Sequence, residues 1–402
     1  MWLRCLHYVI LTLLLFISGG NALAQSDDTL KLKIESSLRF DNNLFRLPAD
    51  ANLNALLGSD SGAERIDIKT LSLNFSTTLS MQKLELSASV SNYRYQNFSY
   101  LSFVAHNYNA AWHWALTPSL RGNLGSQRQE TLNSFADYQG LGLQNVRSNV
   151  NHRLDAAYDL DGTWSLNAGV SQSSQTNQQT LTAEGDYNAK SVDLGLRYGA
   201  ASGSALSYTL RNNNGTYLNR VLPSPGLYDD GYQQIDSELK LHWVLTGKSA
   251  ADLYTYQISR SHPNYAQRDF SGRNAGLNLN WYFSGKSALA ASWARELSSY
   301  QTSTSNYSQT DRITLAQLWQ ISPKTLVRAR YEATQSDYLG TPFGPVATPR
   351  SDTTSAASLS LDWQPYQYLT ISTSLENASR RSNLAGLDYE SKMATVSAQF
   401  SY

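Results

Sequence analysis

The last ten residues read MATVSAQFSY. Ala394, Val396, Ala398, Phe400 and Tyr402 are apolar or aromatic, and Thr395, Ser397, Gln399 and Ser401 between them are polar. A period of two marks a β-strand with one dry face. The same alternation recurs in pairs of runs separated by a few turn-forming residues: LSLNFSTTLSMQKLELSASV (71–90), AAWHWALTPSLRGNLG (110–125), LDAAYDLDGTWSLNAGV (154–170) and VDLGLRYGAASGSALSYTL (192–210). It continues in LKLHWVLTGKSAADLYTY (239–256), LNLNWYFSGKSALAASW (277–293), LAQLWQISPKTLVRARY (315–331) and LSLDWQPYQYLTISTSL (359–375). These are eight hairpins. An opening strand near Leu30–Phe40 and a closing strand near Ser391–Tyr402 bring the prediction to about eighteen strands, an all-β fold.

The turns sort by length. Asp161-Gly162, Thr117-Pro118, Gly247-Lys248, Gly285-Lys286 and Ser322-Pro323 sit in tight connections, where such residues set the backbone of a short turn. The alternate connections are long and rich in Asn, Ser, Gly and Asp, as in QTNQQTLTAEGDYN, NGTYLNRVLPSPGLYDDGYQ and YLGTPFGPVATPRSD. Short turns on one side and long loops on the other are expected of a transmembrane antiparallel barrel, whose short side is periplasmic. Trp114, Tyr158, Tyr198, Trp243, Trp281, Trp319 and Trp363 all stand within a few residues of a short turn. That places them at one height, as an interfacial girdle requires. The competing reading makes them core aromatics of a secreted sandwich, which has no reason to hold them in register with the turns. Phe400 and Tyr402 then lie on the outward face of the last strand. A terminal aromatic there resembles the signal by which the barrel-assembly machinery recognises its substrates.

Composition narrows the class. The 402 residues carry 32 Lys+Arg against 32 Asp+Glu, with 25 Tyr, 9 Trp and 1 Cys. A nearly neutral chain argues against nucleic acid as the main partner. The N-terminus, MWLRCLHYVILTLLLFISGGNALAQ, has one base, an apolar run from Val9 to Ile17, and Ala22-Leu23-Ala24 before Gln25. This is the layout of a signal peptide over residues 1–24. The apolar run falls short of the ~20 residues a helical span needs, which disfavours an uncleaved anchor. The single Cys5 precedes that run and leaves with it, so the exported chain 25–402 has no thiol. The outer membrane is its expected location.

In the clearest strands the faces are assignable. Leu277, Leu279, Trp281 and Phe283 point to lipid, opposite Gly276, Asn278, Asn280 and Tyr282; Val327, Ala329 and Tyr331 point to lipid, opposite Arg328, Arg330 and Glu332. Leu120 and Leu124 face out, and Arg121, Asn123 and Gln127 face in. Glu85, Asp193, Arg197, Glu238, Lys240, His242, Asp362 and Glu376 also fall inward. The expected lumen is wet and mixed in charge. Its candidate pore-lining residues are Arg121, Arg197, Lys240, Arg328, Arg330, Glu332 and Glu376. Two readings apply to them: polar filling of a wide barrel, or a path for a hydrated polymer held by hydrogen bonds and cations.

Catalysis on a barrel needs a nucleophile with a His beside it. His106, His113, His152, His242 and His262 stand in no recognisable motif, and no HExxH or full calcium loop is present. Neither an enzyme nor a metal or cofactor site is expected. Asp41-Asn42-Asn43 and Asp229-Asp230-Gly231 read as loop-turn residues.

RFDNNLFRLP at 39–48, SNYRYQNFSYLSF at 91–103, AAWHWALTPSLRGNLG and SFADYQG together resemble the EpsL family. These are outer-membrane proteins of exopolysaccharide biosynthesis operons in bacteria with the exosortase system. The likeness is strongest from Leu32 to Arg147. It implies a role in exporting or assembling an extracellular polysaccharide, with periplasmic export components and outer-membrane lipid as further partners. Asp41, Asn42, Asn43 and Arg46 match the family's opening signature, together with Leu44 and Phe45. They lie where the first strand runs into a long loop, with structural capping and a plug or lip as alternatives. The resulting expectation is a channel or accessory for polysaccharide export. A general diffusion porin and a non-conducting adhesion or scaffold barrel are the alternatives. Transport would be passive, since no nucleotide-binding motif is present.

Overall fold

The computed structural model describes residues 29–136, 142–183, 185–344, 346 and 348–402. The expected signal peptide and residues 137–140 of the SFADYQG stretch lie outside them. Eighteen strands are formed: β1 Thr29–Asp41, β2 Glu64–Leu79, β3 Gln82–Tyr95, β4 Phe103–Ala115, β5 Leu120–Leu132 and β6 Val146–Asp159. There follow β7 Trp164–Asn177, β8 Tyr187–Gly199, β9 Ala205–Tyr217, β10 Gly231–Thr246, β11 Ser249–Ser261 and β12 Phe270–Ser284. The last six are β13 Ser287–Ser299, β14 Tyr307–Ser322, β15 Thr325–Leu339, β16 Ser351–Tyr366, β17 Leu369–Ser382 and β18 Tyr389–Ser401. Each strand pairs antiparallel with the next, and β1 pairs with β18 from Lys33↔Ser401 to Asp41↔Met393, closing the ring. Closure leaves no edge, so every strand finds hydrogen-bond partners on both sides.

All eight hairpins read from the sequence are present. Their connections are two to five residues long, whereas the other nine run from six residues to the segment 42–63. The turn chemistry is local. At the β6–β7 turn Asp161 Oδ1 accepts the backbone N–H groups of Thr163 and Trp164 at 2.9 and 2.8 Å, while Gly162 takes φ +80°. Four successive hairpins, from β10–β11 to β16–β17, carry a register shift just before the turn. Such bulges twist a strand and re-aim its last side chains.

The register sorts side chains into two faces. The outer face presents a band of exposed Leu, Val and Ile, among them Leu71, Val90, Leu154, Val170, Leu194, Leu210 and Leu375. In water such a surface would drive aggregation; in hydrocarbon it is solvated. Trp112, Tyr158, Trp164, Tyr198, Trp243, Trp281, Trp319 and Trp363 are exposed at the turn end of the band. Trp112 and Trp164 add to the girdle read from sequence. Trp114 is half-buried, because its indole lies flat over Gly122 on the neighbouring strand. A Cβ at Gly122 would fall 2.4 Å from the ring, so the residue there must be glycine. Phe400 faces outward beside Ile34. The fold and its lipid-facing belt are those of an outer-membrane barrel.

Long loops fold back on the open end. The β1–β2 segment carries Leu44, Phe45 and Leu47 into a buried cluster with Ile66, Ile68, Tyr95, Phe98, Leu101 and Phe135. Ile66, Ile68 and Tyr95 belong to the inner face of β2 and β3, opposite the outward Asp67 and Arg94, so the segment packs onto the inner wall. Phe45 meets Phe98 and Phe135 with ring centroids 4.7 and 4.6 Å apart. Across the mouth, Arg268 is fully buried and donates to the carbonyls of Gly226, Leu227, Thr302 and Ser305. One guanidinium thereby ties three loops together. Phe45→Ala removes a packed aromatic, a loss of about 3 kcal/mol for a buried ring. The segment 42–63 should then be cut by protease in the folded, detergent-solubilised protein while the barrel keeps its heat-dependent gel shift.

Candidate functional site

The inner wall divides into two chemically different halves. From β8 round to β17 it is charged. Arg153 on β6 reaches across to Asp193 through bonds of 2.9 and 3.0 Å, and Arg211 stands 3.8 Å from the same carboxylate. His242 Nδ1 lies 2.8 Å from Asp252. Arg312 stands 3.7 Å from both Glu296 and Glu332, Arg330 is 2.5 Å from Glu332, and Arg328 pairs with Asp362. Toward the short-turn end Arg121 meets Asp159 at 2.5 Å, and Glu85 meets Lys83 at 2.6 Å and His113 at 3.1 Å.

Most of these side chains are a quarter to a half exposed, so each pair adds little stability. Their effect is the field they set up along the lumen. Among the sequence-derived candidates, Arg121, Arg328, Arg330 and Glu332 are thus ion-paired on the inner face. Arg197, Lys240 and Glu376 share that face, opposite the outward Leu196, Leu239 and Leu375. They form no ion pair among the described residues.

From β2 to β7 the middle of the wall is polar and, apart from Arg153 and Asp155 on β6, uncharged. One register line runs Asn74–Ser87–Asn109–Gln127–Asn151–Ser173, every step a direct cross-strand partner. One step nearer the long loops, Ser72–Ser89–Asn107 and Gln129–Asn149–Gln175 form a second line. Apart from Gln175, they border a recess of about 570 Å³. Asn151 donates to Ser173 at 3.2 Å, and the buried Nδ2 of Asn74 has no protein partner. Amides offer both a donor and an acceptor at each position, so this half presents hydrogen bonds without a net field. Sequence alternation places these residues inward, but only the register shows that they form continuous rows.

The signature residues form a knot at the top of β1. Asp41 is buried and takes Arg46 at 2.8 Å and the Asn43 N–H at 3.0 Å. Arg46, at φ +54°, also donates to the Asn43 carbonyl. Asn43 accepts the Leu47 N–H at 3.0 Å and donates to Glu390 O at 2.9 Å, while Asn42 Oδ1 accepts the Lys392 N–H at 2.6 Å. The knot fastens the start of the inward-packed segment to β18. These contacts cap the end of β1. Asp229 acts similarly elsewhere, accepting from Asn264 N, Asn264 Nδ2 and Tyr265 N at 2.6, 2.9 and 3.1 Å.

Among the described residues one Ser–His hydrogen bond is present, Ser126 Oγ to His152 Nδ1 at 2.9 Å, and it is joined by Tyr108 at 3.2 Å. It lies on the lipid-facing side, and no carboxylate among the described residues orients the imidazole. His262 is buried among the loops between Asp269 and Gln301, and burial holds its pKa below the usual value. Among the described residues no cluster of three His, Cys, Asp or Glu could hold a metal.

No family model and no curated protein matches the chain. Solved structures do. The outer membrane protein OpdK of Pseudomonas aeruginosa is 12% identical, with TM-score 0.51 over 93% of this chain and 99% of its own. OccK2 (OpdF) of the same organism, solved in complex with glucuronate, is 11% identical with TM-score 0.52, covering 93% and 98%. OccAB3 of Acinetobacter baumannii is 5% identical with TM-score 0.51, covering 94% and 100%. At these identities the likeness is one of fold: a closed barrel of the same overall architecture.

Proposed function

We propose that the chain is an outer-membrane channel for hydrophilic solutes, the diffusion-porin reading. One observation carries it: solvent-exposed charges of both signs line the inner wall at mid-height, where a filled barrel would pack apolar or fully paired groups. Likeness in fold to OccK2, solved with glucuronate, supports it. Arg328→Ser with Arg330→Ser leaves Asp362 without its cation and Glu332 with only the more distant Arg312, at 3.7 Å. In planar bilayers the cation-to-anion permeability ratio should then rise on the order of twofold. An unchanged ratio, or no conductance from the wild-type chain, contradicts the reading.

The uncharged amide rows favour a second, narrower reading, in which the solute is a saccharide polymer. The resemblance to the EpsL family supports the same reading: export of an extracellular polysaccharide, with this chain as conduit or accessory. Deleting the gene should then abolish or sharply reduce secreted polysaccharide, and a neutral glucan should block the open channel where small sugars do not. Normal secretion from the deletion strain removes this second reading and leaves the first in place.

A further inference from the structure

The outer face carries a feature that solute passage does not use. Moving up the lipid-facing side from the short turns, the first charged residue is Lys69 on β2, Lys190 on β8, Arg273 on β12 and Lys392 on β18. Among the described residues an acid comes first only on β14 and β15, at Asp311 and Asp337. The apolar belt therefore ends, on the side of the long loops, in a collar that is predominantly basic.

Within this collar one stretch is recessed. Between β16 and β2, across the β18–β1 seam, lies a groove of about 760 Å³. Its floor is made by the small outward residues Ala357 and Ala394, and its walls by Phe40, Leu359 and Leu375. Phe40 and Leu375 both pair across to Ala394, so the floor lies directly between them. The upper rim is cationic. Arg65 is the register partner of Phe40, and Lys392 follows the floor two residues along β18. Lys392 forms no ion pair among the described residues, and Arg65 has only a long contact of 3.5 Å to Asp67, both side chains half-exposed. Lys69 and Arg94 extend the positive edge, against Asp67 and Glu390 as the acids on the same face.

An apolar slot at hydrocarbon depth beneath a cationic rim matches a lipid with an acyl chain under a phosphate. The long loops mark this end as extracellular, so the lipid facing it belongs to the outer leaflet. We propose that the groove between β16 and β2 binds a phosphorylated glycolipid of the outer leaflet, one acyl chain between Phe40 and Leu375 and a phosphate on Arg65 and Lys392. Each cation attracts an anionic headgroup, and the slot adds shape selection that a charge collar alone lacks. Bound there, the lipid would brace the seam where β18 closes onto β1, directly outside the Asp41–Arg46 knot.

The test uses the full mature chain, folded in detergent, with purified lipid A as the probe and native mass spectrometry as the readout. One lipid A should remain bound through detergent exchange. Arg65→Gln with Lys392→Gln should lower its occupancy on the order of tenfold. Ala394→Trp should abolish it with the rim intact, and Lys190→Gln, in the collar on the far wall, should change nothing. Heat-dependent gel mobility shows whether each variant is folded; if Ala394→Trp does not fold, Ala357→Leu fills the same floor. Equal retention by the groove variants and the wild type overturns the proposal. So does equal retention of dephosphorylated lipid A or of phosphatidylglycerol, and so does a groove occupied by a second copy of the chain, seen as a dimer that the Ala394→Trp change disrupts.

Discussion

Hydrocarbon offers no hydrogen-bond partner to a peptide group, and this constraint shapes the rest of the molecule. A sheet can cross a bilayer only if its first and last strands pair, as β1 and β18 do from Lys33↔Ser401 to Asp41↔Met393. Once the sheet is closed, each strand must present one face to lipid and the other to the enclosed space. Leu, Val and Ile then outline the belt, Trp and Tyr mark its edge, and hydrophilic side chains have only the lumen and the rim left to occupy. The strands are longer than the 9–11 residues that hydrocarbon requires, and their surplus rises above the membrane to carry the loops.

Inside, the barrel separates two kinds of polarity. The wall from β8 to β17 holds ion pairs that are open to water and add little to stability, and among them stand Arg197, Lys240 and Glu376, which form no ion pair among the described residues. The wall from β2 to β7 holds amides and hydroxyls in register. A solute between them meets a field on one side and hydrogen bonds on the other. The buried cluster around Phe45 is a third region, where an apolar core inside the mouth holds the β1–β2 segment against the amide-bearing strands.

Much of this was legible in the sequence, and the reason is the range of the interactions. Strand period, turn residues and the distance of a Trp from its turn are local features, so the hairpins, the long-loop side and the inward direction of Arg121, Arg328 and Arg330 could be read directly. Trp112 and Trp164 were missed as girdle residues because each stands next to an element that already supplied one, Trp114 or Tyr158. The amide rows depend on register between strands, which no single run encodes. The packing of Phe45 on Phe98 and Phe135, and the hold of Arg268 on the carbonyls of two other loops, join residues far apart in the chain and leave no periodic trace. The meaning of the Asp41–Arg46 knot was undecidable for the same reason, because its partners include the backbone of Glu390 and Lys392.

The most direct test of the two-faced cylinder is single-cysteine labelling, with the one cysteine of the sequence, Cys5, replaced by serine. Cysteines placed one at a time from Val327 to Glu332 on β15, in liposomes, should react with a water-soluble maleimide at Arg328, Arg330 and Glu332. They should stay silent at Val327, Ala329 and Tyr331. Uniform labelling along the strand, or alternation in the opposite phase, would contradict the account.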